Sequence, residues 1–207
     1  MIAYIVIFFI SYLIGSIPVA FLFTKRTANI DIREKGSGNV GAFNVYAVTQ
    51  SKSTGIIVGI LDGVKGLLAV GFVYLFFEYT IWLTAIALFS AILGHNYPVW
   101  LKFKGGRGLA TTAGGLFGIC LIYTIIWCST WLFFKRQTKN IITSNLLSCI
   151  VTPMITALLP RNWIELSMIA KGSSEEYLIF SILLSVLLIS GHLNALGEVV
   201  SEKSKRN

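Results

Sequence analysis

Between Gly94 and Thr112 the chain concentrates the residues best suited to hold an anion. Lys102, Lys104 and Arg107 are interleaved with Gly105, Gly106 and Gly108, and Thr111 and Thr112 follow. Residues without a Cβ let a backbone fold tightly enough to point several N–H groups into one concavity. A helix starting near Ala110 would add its own free N–H groups and the positive end of its dipole. The charges alone fit a second reading, a basic loop that fixes the orientation of a membrane protein; both stand at this point. A nucleotide-hydrolysing P-loop is a poor fit, because Arg107 lies between two glycines and no hydroxyl residue follows a lysine in this stretch. A small phosphate compound remains the expected ligand class.

A second concentration spans Asp31, Arg33, Lys35, Gly36, Ser37, Gly38, Asn39, Gly41 and Asn44. Its glycines, hydroxyl and amides read as another anion or hydroxyl nest. A flexible linker is the alternative, but a linker needs no asparagines beside cations. Asp62 and Lys65 stand three apart inside an apolar run, so on a helix they share a face and can pair. Ionisable groups at that depth are costly unless paired or wetted. They mark either a functional site or an ion pair that fixes packing. Both histidines of the chain, His95 and His192, follow a glycine at the end of an apolar run, with Asn96 and Asn194 close by.

This inventory offers cations, backbone N–H groups, hydroxyls, amides and two imidazoles. It has no carboxylate pair for glycosidic chemistry, no His/Cys/Asp cluster spaced for zinc and no G-x-S-x-G elbow. No metal and no cofactor is therefore expected. Positive nests suit substrates that bring their own phosphates and a good leaving group, for which positioning and charge stabilisation suffice.

The elements that must position these groups are membrane helices. Of 207 residues 55% are hydrophobic and only 13% charged, with a mean hydropathy of +0.76; a soluble domain carries about twice that share of charge. The net charge of +8 would ordinarily raise nucleic-acid binding, but the cations fall in short loops between apolar runs, so no nucleic-acid partner is expected. Cys120, Cys128 and Cys149 lie in apolar runs as small fillers. Residues 2–23 form a first span that Pro18 should kink, freeing carbonyls that only a protein-lined or wet site tolerates. Residues 55–77 and 80–93 form the second and third. The apolar stretch 111–134 is long enough for one tilted span or two short ones. A turn near Gly118 leaves only Arg161 and Lys171 among the loop and tail cations outside; a single span would also expose Lys135, Arg136, Lys139 and the tail cations. Two short segments are therefore expected. Segments 145–159 and 177–191 follow. The expected fold is an all-α polytopic integral membrane protein of about seven transmembrane helices, N-terminus out and C-terminus cytoplasmic. It is read as one membrane-embedded domain over 1–207, with a charged tail at 196–207.

Gly15-Ser-Ile-Pro18, Asp31-Ile-Arg33, Gly36-Ser-Gly-Asn39-x-Gly41-Ala-x-Asn44, Asp62-x-x-Lys65-Gly66, Gly94-His-x-x-Pro98 and Lys104-Gly-Gly-Arg-Gly108-x-Ala-Thr111 occur in that order. Together they resemble the PlsY family, bacterial inner-membrane glycerol-3-phosphate acyltransferases whose donor is acyl phosphate. The resemblance is close over about residues 10–118 and continues by hydropathy. It implies acyl transfer to the sn-1 hydroxyl of glycerol 3-phosphate at a site facing the cytoplasm, giving lysophosphatidic acid and phosphate, the first step of phospholipid biosynthesis. It implies acyl phosphate, glycerol 3-phosphate, membrane lipids and the enzyme that supplies acyl phosphate as partners.

Carried over position by position, Ser37, Asn39, Asn44, Lys104 and His95 would be catalytic. Arg33, Gly36, Gly38, Gly105, Gly106, Arg107, Gly108, Thr111, His192 and Asn194 would bind substrate and phosphate. Asp62, Lys65, Gly66 and Pro98 would form the structural core of the motifs. The chain departs from the family at Phe43, where threonine is usual, at Ala47, where an arginine stands, and in the spacing of His192 and Asn194. These departures imply the loss of one phosphate ligand and leave a diverged paralogue as the alternative. A transporter of small phosphate esters would call for two related halves, and no such repeat is visible.

Overall fold

Helix starts are written into the chain by hydroxyl and amide side chains that accept a backbone N–H of the first turn. Ser51, Thr80, Asn140 and Ser173 each do so, and Ser173 with Glu176 closes a reciprocal capping box. The computed structural model describes residues 1–193. Among them are helices α1 (Ile2–Ser16), α2 (Val19–Ala28), α3 (Ala42–Thr49), α4 (Lys52–Phe76), α5 (Ile81–Asn96) and α6 (Leu109–Ile119). Then come α7 (Leu121–Thr138), α8 (Ile141–Leu158), α9 (Arg161–Ser167) and α10 (Ser174–Ser190). The chain divides into two compact units, Met1–Ile119 and the part from Cys120 onward.

Pro18 does more than kink the first apolar run. It ends α1 and starts α2, which together make a 27-residue apolar stretch, Ile2–Ala28. That stretch, Lys52–Phe76 and Ile141–Leu158 are long and apolar enough to cross a membrane. The run 111–134 breaks, as the cations required, at Cys120, which is extended (φ −166°, ψ 119°) between α6 and α7. Sequence reading missed α3, a two-turn helix inside the polar segment 24–54, and α9, inside the loop 160–176.

In the first unit α1 packs along α5 and α4 along α6. Both crossings are made by glycine. A Cβ on Gly15 would overlap the carbonyl of Ala91, and one on Gly94 the carbonyl of Tyr12. Likewise Gly66 faces the carbonyl of Thr111, and Gly114 that of Gly63. Lipid is as apolar as leucine, so membrane helices associate by close backbone approach, and small residues collect at the contact. The long helix α4 shows the resulting inversion. Ile56, Ile60, Leu68, Tyr74 and Leu75 face outward, while Gly55, Asp62, Lys65, Gly66 and Ala69 are buried. In the second unit α8 packs against α7 and α10. Tyr123 bonds Ser185 at 2.7 Å, and the Trp131 indole N–H donates to Asn145 at 2.8 Å.

Because the α4–α6 crossing has no room for a methyl group, Gly66→Ala should cost about 1–3 kcal/mol, the usual size of overpacking. A Cβ at Gly71 of the same helix meets nothing within 4 Å. Gly71→Ala should therefore leave stability unchanged or raise it by up to about 1 kcal/mol. Thermal unfolding of both variants in one detergent checks the contrast.

Candidate active site

The site grows from the break at Pro18. A proline has no N–H to offer and ends the hydrogen-bond ladder, leaving carbonyls at the break short of α-helical partners, though that of Ile17 also accepts the Val19 N–H at 2.9 Å. Lys65 reaches across from α4 to take two of them. Its Nζ donates to Gly15 O at 3.1 Å and to Ile17 O at 2.8 Å. His95 Nδ1 lies 3.1 Å from the same nitrogen. The charge is balanced by Asp62, whose Oδ1 lies 2.9 Å from Nζ, one helical turn earlier on α4. Both side chains are buried, 5% and 2% exposed. The sequence expectation of a paired Asp62–Lys65 is met. The same spacing gave no sign that the ammonium also closes a broken helix and touches a histidine. Gly15, Ser16, Pro18, Asp62, Lys65 and His95 line a small cleft here.

His95 stands in the last turn of α5, one residue before the helix ends at Asn96, and is 7% exposed. Beyond it Pro98 is buried, and its carbonyl accepts the N–H groups of Leu101 and Phe103 to turn the chain. Lys102 and Phe103 adopt left-handed backbone (φ 53° and 61°), which swings the following glycines back onto α5. Gly105 N–H then donates to Asn96 O at 3.1 Å and Gly106 N–H to His95 O at 3.0 Å. These two glycines thus spend their N–H groups on α5 and serve close approach; a Cβ on Gly106 would coincide with His95 Nε2. Helix α6 begins at Leu109, next to the expected Ala110, so the unsatisfied N–H groups lie in its first turn. Gly108 (φ 79°) precedes it, and Thr112 Oγ1 bonds back to Gly108 O at 2.9 Å. Lys104 is exposed and Arg107 half-buried.

Asn44 organises the other loop. It is 2% exposed on α3, and its Oδ1 accepts Ser37 N–H at 2.9 Å. Its Nδ2 lies 3.2, 3.1 and 3.0 Å from the carbonyls of Ile32, Lys35 and Asn39. Gly36 and Gly38 take positive φ (60° and 69°), and a Cβ on Gly36 would strike Asn44. Ser37 is exposed at the loop tip and Asn39 half-buried. Arg33 grips Asp31 through two bonds, Nε to Oδ1 at 2.9 Å and a terminal nitrogen to Oδ2 at 2.6 Å, and lies over the Phe21 ring at 4.7 Å. The two loops meet where Val40 N–H donates to Gly105 O at 3.2 Å, one residue beyond Asn39 and one beyond Lys104.

His192 belongs to the second unit, fully buried, with Nδ1 2.8 Å from Leu188 O and Nε2 3.1 Å from Asn145 Nδ2. Asn194 lies outside the described residues. Thr111, expected to bind phosphate, has a buried hydroxyl without a hydrogen-bond partner; sequence reading gave little weight to Asn96 and Ser16, whose side chains are buried and unpartnered in the same way. Asn96 was visible only as a neighbour of His95. Ser16 sat unremarked within the motif ending at Pro18.

Two outcomes follow from this geometry. Asn44→Asp keeps the acceptor but loses the donors to three carbonyls. It should destabilise the loop as much as Asn44→Ala, by about 1–3 kcal/mol, and speed tryptic cleavage after Arg33 and Lys35. The Arg33 grip lowers the Asp31 carboxyl from the ordinary 3.8 to about 2, against the upward push of burial. With the folded value depressed, the clasp's contribution to stability is complete above the ordinary carboxylate range and lost as pH falls towards 2. Carboxyl-carbon NMR should find that low midpoint, and Arg33→Ala should return it towards 3.8.

Comparison with known proteins points one way. The family model described as glycerol-3-phosphate acyltransferase matches residues 5–202. The glycerol-3-phosphate acyltransferase of Desulforamulus reducens is 34% identical over 190 residues, covering 92% of this chain and 88% of the relative. That of Pseudothermotoga lettingae is 34% identical over 203 residues, covering 98% and 94%. The crystal structure of PlsY, an integral membrane glycerol 3-phosphate acyltransferase, in its glycerol 3-phosphate form superposes with a TM-score of 0.78 at 25% identity. It covers 96% of this chain and 92% of that one.

Proposed function

The chain belongs to the PlsY family of integral membrane glycerol-3-phosphate acyltransferases, and from that premise we propose that its donor is acyl phosphate and its acceptor the sn-1 hydroxyl of glycerol 3-phosphate. The products are lysophosphatidic acid and inorganic phosphate. The observation that carries this reading is the Val40–Gly105 bond, which joins a loop bearing the exposed Ser37 to a loop bearing the exposed Lys104. An acyl phosphate is a mixed anhydride and needs little activation. The acceptor oxygen attacks the acyl carbon, the bond to the phosphate oxygen breaks, and phosphate leaves with the electron pair. The hydroxyl proton passes to the acceptor's own phosphate. Lys104 and Arg107 hold phosphate charge, with the first turn of α6 behind them. Ser37 and Asn39 orient the second substrate, and Asn44 keeps their loop in shape.

The membrane is the bacterial plasma membrane, with both loops on the cytoplasmic side and the N-terminus outside. This orientation rests on the distribution of cations.

Purified protein in a lipid phase should release phosphate from acyl phosphate only when glycerol 3-phosphate is present, with lysophosphatidic acid formed in step. Lys104→Ala should lower turnover by about two orders of magnitude, the cost of removing a preorganised charge donor. Near-normal turnover removes Lys104 from the site. Binding of glycerol 3-phosphate without any transfer favours the diverged paralogue foreshadowed by Ala47.

A further inference from the structure

We propose that Lys65 is a positioning residue that holds the proton of His95 on Nε2, so that His95 serves acyl transfer as a hydrogen-bond donor and not as its general base. The catalytic half of this statement rests on the acyltransferase reading; the proton's position does not.

The argument begins with what an ammonium can offer. It has three hydrogens and no lone pair, so every polar atom within bonding distance must accept from it. Four atoms lie that close to Lys65 Nζ, and three of them, Gly15 O, Ile17 O and His95 Nδ1 at 3.1, 2.8 and 3.1 Å, are in hydrogen-bond geometry. Asp62 Oδ1 at 2.9 Å supplies countercharge without completing a hydrogen bond of its own. The rival donor–acceptor pair, Nδ1–H to Asp62 Oδ1, is longer at 3.5 Å. It would also set an N–H against an ammonium nitrogen 3.1 Å away. Nδ1 therefore accepts, and in the neutral ring the proton stands on Nε2.

The other face of the ring decides what that proton does. Nε2 fills the space where a side chain on Gly106 would begin, so it lies against the glycine loop that carries Lys104 and Arg107. Gly106 N–H is bonded to the backbone carbonyl of His95, which holds the loop against that side of the ring. A base would need a bare nitrogen facing the acceptor hydroxyl. The bare nitrogen of His95 instead faces the interior, stoppered by Lys65. The face towards the loop carries a donor, which suits an oxygen gaining negative charge.

Nitrogen-15 NMR of the full chain, histidine-labelled and held in lipid nanodiscs, reads the two ring nitrogens directly. The His95→Gln variant assigns the signals by removing one set. An unprotonated Nδ1 and a protonated Nε2 are expected; a proton on Nδ1, alone or on both nitrogens, overturns the proposal whether or not any variant folds. In the paired variant Asp62→Asn/Lys65→Met, which leaves no orphaned charge, the His95 signals should shift towards a mixture of tautomers. The turnover number should fall about tenfold or more, as when an outer partner of an active group is lost. A folded paired variant with unshifted signals and undiminished turnover also overturns it. His95→Gln, whose amide carries N–H groups to the Nε2 position, should retain more activity than His95→Asn; the reverse order argues against donation through Nε2. Absence of any acyl transfer by the unaltered protein is a failure of the functional reading, told apart because the ring nitrogens answer without turnover.

Discussion

One ammonium group carries the architecture of the first unit. A membrane-spanning helix that breaks must find donors for the carbonyls it frees, since the hydrocarbon offers none. Lys65 supplies them at Gly15 and Ile17. In doing so it ties α4 to the α1–α2 break and, through His95, to the end of α5. Asp62 makes the buried charge tolerable. Removing one member of such a pair leaves an uncompensated charge, at a cost of about 3–5 kcal/mol. The lysine braces the break, and the aspartate offsets the charge that the lysine brings.

Close backbone approach is the second constraint, and it explains why glycine recurs in two different settings. At the Gly15–Ala91 and Gly66–Thr111 contacts, glycine lets helices touch where leucine would gain nothing over lipid. At Gly105 and Gly106 it lets a loop lie on the end of α5 and spend its N–H groups there. A glycine-rich basic loop reads from sequence as a cradle of free N–H groups. In this fold two of those groups are committed to the scaffold, and the unsatisfied N–H groups belong instead to the first turn of α6.

Much of this was legible. The i, i+3 spacing of Asp62 and Lys65 fixed their pairing, Pro18 announced a break, and the imbalance of cations called for an interruption near Gly118. The ordered motifs carried the family. What could not be read was anything that depends on a partner far along the chain. Lys65 meets carbonyls about fifty positions away and an imidazole thirty away, and no local spacing encodes that. The family resemblance put Asn44 among the catalytic residues; only the fold shows its amide set against three carbonyls of its own loop. The helix α3 was hidden because a two-turn helix in a polar segment leaves almost no periodic signal.

The motif strings therefore mix two kinds of work that geometry separates. Asn44, Asp62, Lys65 and Pro98 are buried and hold the frame, His95 is buried between them and the glycine loop, and Ser37 and Lys104 are exposed. This division gives the departures from the family pattern a physical meaning. Phe43 and Ala47 flank Asn44 on α3, and both are exposed, whereas Asn44 between them is buried with every bond of its side chain intact. The frame of the loop owes nothing to positions 43 and 47. An alanine in place of a cation at position 47 thus alters an exposed face of α3 without loosening the loop that Asn44 holds. A chain diverging in this way can change the charge of α3 while keeping its fold and its glycine loops.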